Sequence, residues 1–212
     1  MPELYFISGL GADHRVFQFL KPEKLKKNFI HWIVPLENES IEAYAKRLSE
    51  QIKTKRPILI GLSFGGIIAI EIAKLIEIEK VILISSVKTK KEIPFYFRIA
   101  GKLKLHRILK AGLLKRGNII FYWFFGTKTE SERLILKSIL ADADSYFLYW
   151  AIDKIVSWTN ETNPDNLKHI HGTADKIFPS RFVQADNQIN GGGHFMVMNR
   201  ADEITEMLNE YL

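Results

Sequence analysis

Three short stretches carry residue types that can act on one another: "GLSFGG" from Gly61 to Gly66, "HGTADKIFP" from His171 to Pro179, and "GGGHFMV" from Gly191 to Val197. In chain order they supply the hydroxyl of Ser63, the carboxylate of Asp175 and the imidazole of His194. A serine hydroxyl is a weak nucleophile until a base takes its proton. An imidazole can be that base, and it needs a carboxylate to fix its tautomer and stabilise its charged form. Together the three point to nucleophilic attack at an acyl centre, with Ser63 attacking, His194 moving the proton and Asp175 orienting the ring. Each residue alone has an ordinary reading: a helix-capping serine, a turn aspartate bonded to its own backbone, a loop histidine in water. Their occurrence in one order is what outweighs these.

The elements that must hold them can be read from the apolar pattern. Ser63 lies between an apolar run, Pro57–Leu62, and a helical stretch, Phe64–Ile76. This is the strand–turn–helix setting of a G-x-S-x-G elbow. Such a turn strains the serine backbone and brings the flanking glycines too close to other chain for side chains. The helix that starts there favours developing negative charge. Asp175 follows a strand at Leu167–His171, and His194 follows one at Ala185–Ile189. Further strands are expected at Leu4–Ser8, His31–Val34 and Lys80–Ser85, and further helices at Ile41–Thr54 and Asp202–Tyr211. Ile- and Val-rich runs alternating with amphipathic stretches predict an α/β fold, a mostly parallel sheet of six strands flanked by helices. The regular alternation stops at Ser86, and the gap to the next strand is longer than a crossover needs. It contains a helical block within Pro94–Trp158, with one long pattern from Thr129 to Trp158 that "TKTE" at 127–130 opens as a capping box. The expectation is one domain, a core of 1–86 and 160–212 carrying a helical insertion at 87–159.

On "SGLGADHRVF", "GLSFGG", "HGTADKIFP" and "GGGHFMV", the chain resembles the α/β-hydrolase superfamily over nearly its whole length. The resemblance implies Ser63 as nucleophile, His194 as general base and then acid, and Asp175 as its partner. It also implies an oxyanion hole built from the backbone amides of Leu10 and Phe64, and a lid formed by the insertion. The first strand corresponds to the family's third, so two early edge strands are expected to be absent. Two departures stand out. The oxyanion loop has Ser8-Gly9 where many relatives have His-Gly, and nineteen positions separate Asp175 from His194, which a truncated helix would explain.

Other residues carry weaker signals. Asp13 and His14 follow the oxyanion loop and are candidate substrate contacts, although "ADHRVF" also reads as a helix start. Phe121 and Trp123, in the aromatic run "IIFYWFF", are candidate contacts from the insertion. Asp142 and Asp144 read mainly as solvated helix-face carboxylates, and His171 as a structural hydrogen-bonding group. The sequence implies no cofactor: there is no metal-ligand spacing and no Walker-type loop, and G-x-G-x-x-G fails because its sixth position is His14.

Composition narrows the partners. The chain of 212 residues has no cysteine, which removes thiol chemistry and disulfides, and no signal-peptide pattern opens it, so the cytoplasm is the expected compartment. Of the net +6, Lys88–Lys128 carries eleven basic residues against Glu92, or +10, leaving 6 − 10 = −4 for the rest. An acidic body with one basic segment argues for something local rather than general nucleic-acid binding. That segment could be a solvated lid, touch an anionic membrane surface, or attract acidic acyl substrates. Laid out as a helix, Arg98–Arg116 does not sort into charged and apolar faces. A small-molecule acyl substrate is the expected partner, with oligomeric state open. The rival reading is a ligand-binding or signalling protein that keeps the fold with negligible turnover.

Overall fold

The computed structural model describes residues 2–23, 25–104 and 119–212. Six strands form one sheet: β1 (Leu4–Ile7), β2 (Lys27–Ile30), β3 (Ile58–Leu62), β4 (Lys80–Ile84), β5 (Leu167–Gly172) and β6 (Asn187–Ile189). Their order is β2-β1-β3-β4-β5-β6, and every neighbouring pair is parallel. Parallel strands need crossovers on the sheet faces, so both faces are covered, and the central strands β1, β3 and β4 are apolar apart from Lys80 at the start of β4. Alternate residues go to opposite sides. Tyr5 and Ile7 join one core with α1 (Ile41–Ser49) and α2 (Phe64–Ala73). Leu4 and Phe6 join the other with the last helix, α7 (Ala201–Tyr211). The fold is the α/β-hydrolase fold: an all-parallel sheet flanked by helices.

The direction in which strands are added to the sheet reverses at β1, because β2 lies on one side of it and β3 on the other. The carboxyl ends of strands at such a switch point open a crevice that neither crossover covers. Both the "SGLGADH" loop and Ser63 emerge there.

Between β4 and β5 the described chain forms α3 (Phe95–Lys102), α4 (Ile119–Phe125), α5 (Glu130–Asp142) and α6 (Ser145–Ser157). The rest of the basic segment, 105–118, lies outside the described residues. The long pattern expected over Thr129–Trp158 is two helices, α5 and α6. Asp144 breaks it by accepting a hydrogen bond from Phe147 N at 2.7 Å and capping α6. The cap that opens α5 is Thr129, whose hydroxyl accepts from Glu132 N. The capping pair is therefore Thr129 and Glu132, two positions later than "TKTE" suggests.

The second strand also departs from expectation. It is Lys27–Ile30, not His31–Val34. His31–Val34 is apolar for another reason: Trp32 stacks on Phe64 at 5.5 Å and donates its indole N–H to the Ala12 carbonyl. Helix α1 stops at Ser49 rather than Thr54, α2 at Ala73 rather than Ile76, and β6 starts at Asn187 rather than Ala185.

Candidate active site

Ser63 occupies the turn between β3 and α2 with φ 52° and ψ −118°. A non-glycine residue pays for that conformation and keeps it only when its surroundings leave no alternative. Those surroundings are backbone. A Cβ on Gly65 would lie 2.1 Å from the Ile7 carbonyl oxygen, and one on Gly61 would lie 2.4 Å from the Gly66 Cα. Beneath the turn, Ser63 N–H donates to the Ile84 carbonyl, and Ser86 Oγ donates to the Ser63 carbonyl at 2.6 Å. The side chain of Ser63 is thus held at the head of the sheet by strands on both sides.

His194 reaches it from the loop after β6. Its Nε2 lies 2.9 Å from Ser63 Oγ, and its Nδ1 lies 2.8 Å from Asp175 Oδ2. A carboxylate only accepts, so Nδ1 carries the proton, and the neutral ring presents Nε2 to accept from the serine hydroxyl. The other carboxylate oxygen, Asp175 Oδ1, accepts from the amides of Ile177 at 2.8 Å and Phe178 at 2.9 Å. All three residues are buried. The rings of Phe125 and Phe178 stand edge-on to the imidazole at 5.6 and 5.7 Å and limit its rotation. The short Asp175–His194 spacing is met without an α-helix, by a single 3-10 turn at Ser180–Phe182. Two backbone bonds, Thr173 N to Ile189 O and Ala174 N to Gly192 O, then tie the loop over β5.

The loop after β1 crosses directly above Ser63, since a Cβ on Gly9 would sit 3.5 Å from Ser63 Cβ. Gly9 to Ala12 is a turn closed by Ala12 N donating to Gly9 O, with Gly11 at φ +67°. Positive φ at the third position is the type II pattern, in which the second residue's amide takes no part in the turn bond. That second residue is Leu10. Neither Leu10 N–H nor Phe64 N–H donates to another described residue. Ser8 gives its hydroxyl to the Ala12 carbonyl at 2.7 Å and so braces the loop from within.

A cavity of about 420 Å³ opens onto Ser63 and His194, lined among the described residues almost wholly by apolar groups. Phe97, Gly101, Phe125, Leu136 and Val156 contribute to it from the helices between β4 and β5. The structure places the weaker candidates elsewhere. Asp13 caps the short 3-10 turn at His14–Phe17 and pairs with Arg15, which reaches Asp142 at 2.6 Å. Asp13, Asp142 and Asp144 border a separate space of about 190 Å³. His14 is exposed beside Phe29. Phe121 stacks on Phe125 at 4.5 Å, one layer back from the cavity, and Trp123 lies outside under the Lys176 ammonium, 3.8 Å from the ring centre. The cavity-lining Phe97 and Phe125 were not separable by sequence from their aromatic neighbours, since only the turn of each helix decides which ring faces inward.

Behind Asp175, His171 sits fully buried with Nε2 2.8 Å from the Phe178 carbonyl. Burial pushes its basicity down, and that of His169 well below the ordinary value, which favours the neutral form of both rings. A neutral His171 donates to Phe178 and stiffens the turn whose amides hold Asp175. Among the described residues no group of three or more side chains is arranged to hold a metal ion, and no helix is long and apolar enough to cross a membrane.

Solved structures similar to this chain include a bromoperoxidase from Bacillus anthracis, at 18% identity and TM-score 0.68, covering 100% of this chain and 92% of that one. A lipase-esterase related protein from Clostridium acetobutylicum ATCC 824 gives 16% identity and TM-score 0.68, with 100% and 94% covered. An N-acyl homoserine lactonase complexed with N-butanoyl homoserine gives 18% identity and TM-score 0.69, with 100% and 88% covered. No protein-family model matches the sequence, nor does any curated protein.

Proposed function

We propose that this protein is a serine hydrolase that cleaves a carboxylic ester or related acyl bond. The observation that carries the reading is the unbroken line from Asp175 through His194 to Ser63, with contacts of 2.8 and 2.9 Å, at the floor of an apolar cavity. The esterases and lactonase among proteins of the same fold favour this reaction class.

In this reading Ser63 Oγ attacks the substrate carbonyl as its proton passes to His194 Nε2. The negative charge that builds on the carbonyl oxygen is met by the amides of Leu10 and Phe64, whose N–H groups have no other described acceptor. The loop that carries Leu10 already crosses just above Ser63, with room for no more than a methyl between Gly9 and the serine Cβ, so the amides need no rearrangement to meet that charge. Asp175 stabilises the imidazolium while its own two amide donors keep it from turning away. The protonated ring then releases the alcohol, and a water activated by the same nitrogen frees the acid from Ser63. The helices between β4 and β5 act as the lid, with their inward faces selecting the acyl group. The 420 Å³ cavity is of the size that holds a small apolar ligand.

Ser63→Ala is expected to abolish turnover of small aryl esters, by about 10⁴-fold or more, while thermal melting stays within a few degrees of wild type. Covalent labelling by a fluorophosphonate, lost in His194→Ala, is the companion expectation. Unlabelled protein that binds acyl ligands tightly without turnover would replace the enzyme by a receptor on the same fold.

A further inference from the structure

Helix α3 has three distinct sides. Successive residues turn by about 100°, which puts Phe95, Ile99, Leu103 and Tyr96 in one arc. Phe95, Ile99 and Leu103 are 62%, 52% and 64% exposed. On the opposite side Phe97, Ala100 and Gly101 line the Ser63 cavity, and Gly101 packs against Val156 of α6. Arg98 and Lys102 lie along one border of the outer arc, and Lys104 follows at the helix end. The apolar arc extends onto a second element: the ring of Phe182 lies 6.5 Å from Phe95 and 6.3 Å from Tyr96, with the guanidinium of Arg181 over its face.

Along α3 and its end, Phe95–Lys104, the charge has one sign: Arg98, Lys102 and Lys104, with no acid. The preceding stretch from Lys88 adds three lysines, of which Lys90 pairs with Glu161, and one acid, Glu92. Glu92 is buried, accepting from the amides of Lys88 and Gln184, and so faces inward. Among the described residues Arg98, Lys102 and Lys104 form no ion pair. Arg98–Arg116 is the wrong window in which to look for an amphipathic helix, because it omits Phe95 and Tyr96. Over Phe95–Lys102 the separation is clean.

We propose that this face, the outer side of α3 together with Phe182 and Arg181, docks the protein on an anionic lipid surface. A basic border around an apolar arc lets the aromatic and aliphatic groups enter the headgroup boundary while the cations meet lipid phosphates. Each part alone is weak, since scattered exposed apolar groups are common and surface cations are usually just solvated. Their combination on one helix is what selects a bilayer over a nucleic acid, which would use the cations and leave the apolar arc in water. The placement has a functional sense as well. The two sides of one helix face the lipid and the cavity, so a substrate dissolved in the membrane has the shortest path to Ser63.

The test is sedimentation of the full chain with vesicles of phosphatidylglycerol and phosphatidylcholine, against vesicles of phosphatidylcholine alone. The expected result is binding to the anionic vesicles only, weakened at high salt as the cations are screened. Ile99→Asp with Leu103→Asp, and separately Lys102→Glu with Lys104→Glu, are each expected to lower partitioning by about tenfold or more. None of these side chains lines the cavity, so hydrolysis of a water-soluble aryl ester should be unchanged, and thermal melting confirms folding if no esterase activity exists at all. Ser63→Ala should bind vesicles as wild type does, which separates this proposal from the hydrolase reading. No binding to anionic vesicles, equal binding to neutral ones, or wild-type binding by both double variants would overturn it. So would a dimer in solution that the Ile99 and Leu103 changes dissolve without any vesicle binding.

Discussion

The floor of the candidate site and the helices above it are held by different kinds of contact. At the floor, backbone meets backbone: Gly65 abuts the Ile7 carbonyl, Ser63 N–H donates to Ile84, and Asp175 is gripped by two amides. Above it, side chains make the contacts: Val156 packs on the bare backbone of Gly101, Arg15 reaches Asp142, and Phe121 stacks on Phe125. Backbone has nowhere to go, whereas a side chain can change rotamer. The floor is thus a fixed geometry and the roof a more adjustable one, as the proposed acyl-selecting lid would require.

One substitution made in both places tests this contrast directly. Gly65→Ala forces a methyl into two strand carbonyls and is expected to cost more than about 3 kcal/mol, read as a collapse of the urea midpoint or as insoluble protein. A milder but distinctive effect comes from His169, which lies under the floor on β5 with neither ring nitrogen partnered among the described residues. Its folded basicity is pushed by burial well below the ordinary value of 6.5. As pH falls through that value, the unfolded chain takes up the proton and the folded chain does not. Stability is therefore full at neutral pH and lost toward acid, by up to about 1.4 kcal/mol per pH unit for each such ring. His169→Phe should flatten this acid limb in urea melts, leaving the smaller share owed to His171. Gly101→Ala, in the roof, would set a methyl 2.4 Å from the Val156 Cγ2 and 2.7 Å from its Cβ, so α3 must shift against α6, and stability should fall by about 1–2 kcal/mol, less than at Gly65. Its visible effect should be a raised KM for bulky acyl esters with kcat nearly kept. Asp142→Ala breaks a half-exposed ion pair and should cost about 0.5 kcal/mol or less, at the edge of detection by thermal melting.

The same contrast decides what the sequence could disclose. Gly65 has no room for a side chain against Ile7 and Ser8, Gly66 none against Ser86, and Gly61 none against Gly65 and Gly66, and a steric requirement of that kind leaves a mark in the sequence. The strand–turn–helix reading, the order of the three polar residues and five of the six strands followed from such marks. Where an apolar residue has two possible uses the reading failed. Trp32 and Ile33 resemble strand residues, yet their apolar character serves the space above the sheet, where Trp32 stacks on Phe64 and Phe147. Likewise the break between α5 and α6 rests on one hydrogen bond from Phe147 N to Asp144, and "ADAD" offers two aspartates of equal standing. Which aromatic of α4 faces the cavity depends on a few tens of degrees of helix rotation, to which periodicity alone is blind.

Sheet order has a consequence for how this molecule keeps company with its own kind. The outermost strands, β2 and β6, are four and three residues long. A strand at a sheet margin offers a row of unmatched amides and carbonyls to any passing chain, and a long flat one invites polymerisation. Here the rows are too short to template a stable pairing, and the exposed Lys27 stands at the start of β2. Margins clipped in this way give either edge of the sheet little to offer a second copy of the chain.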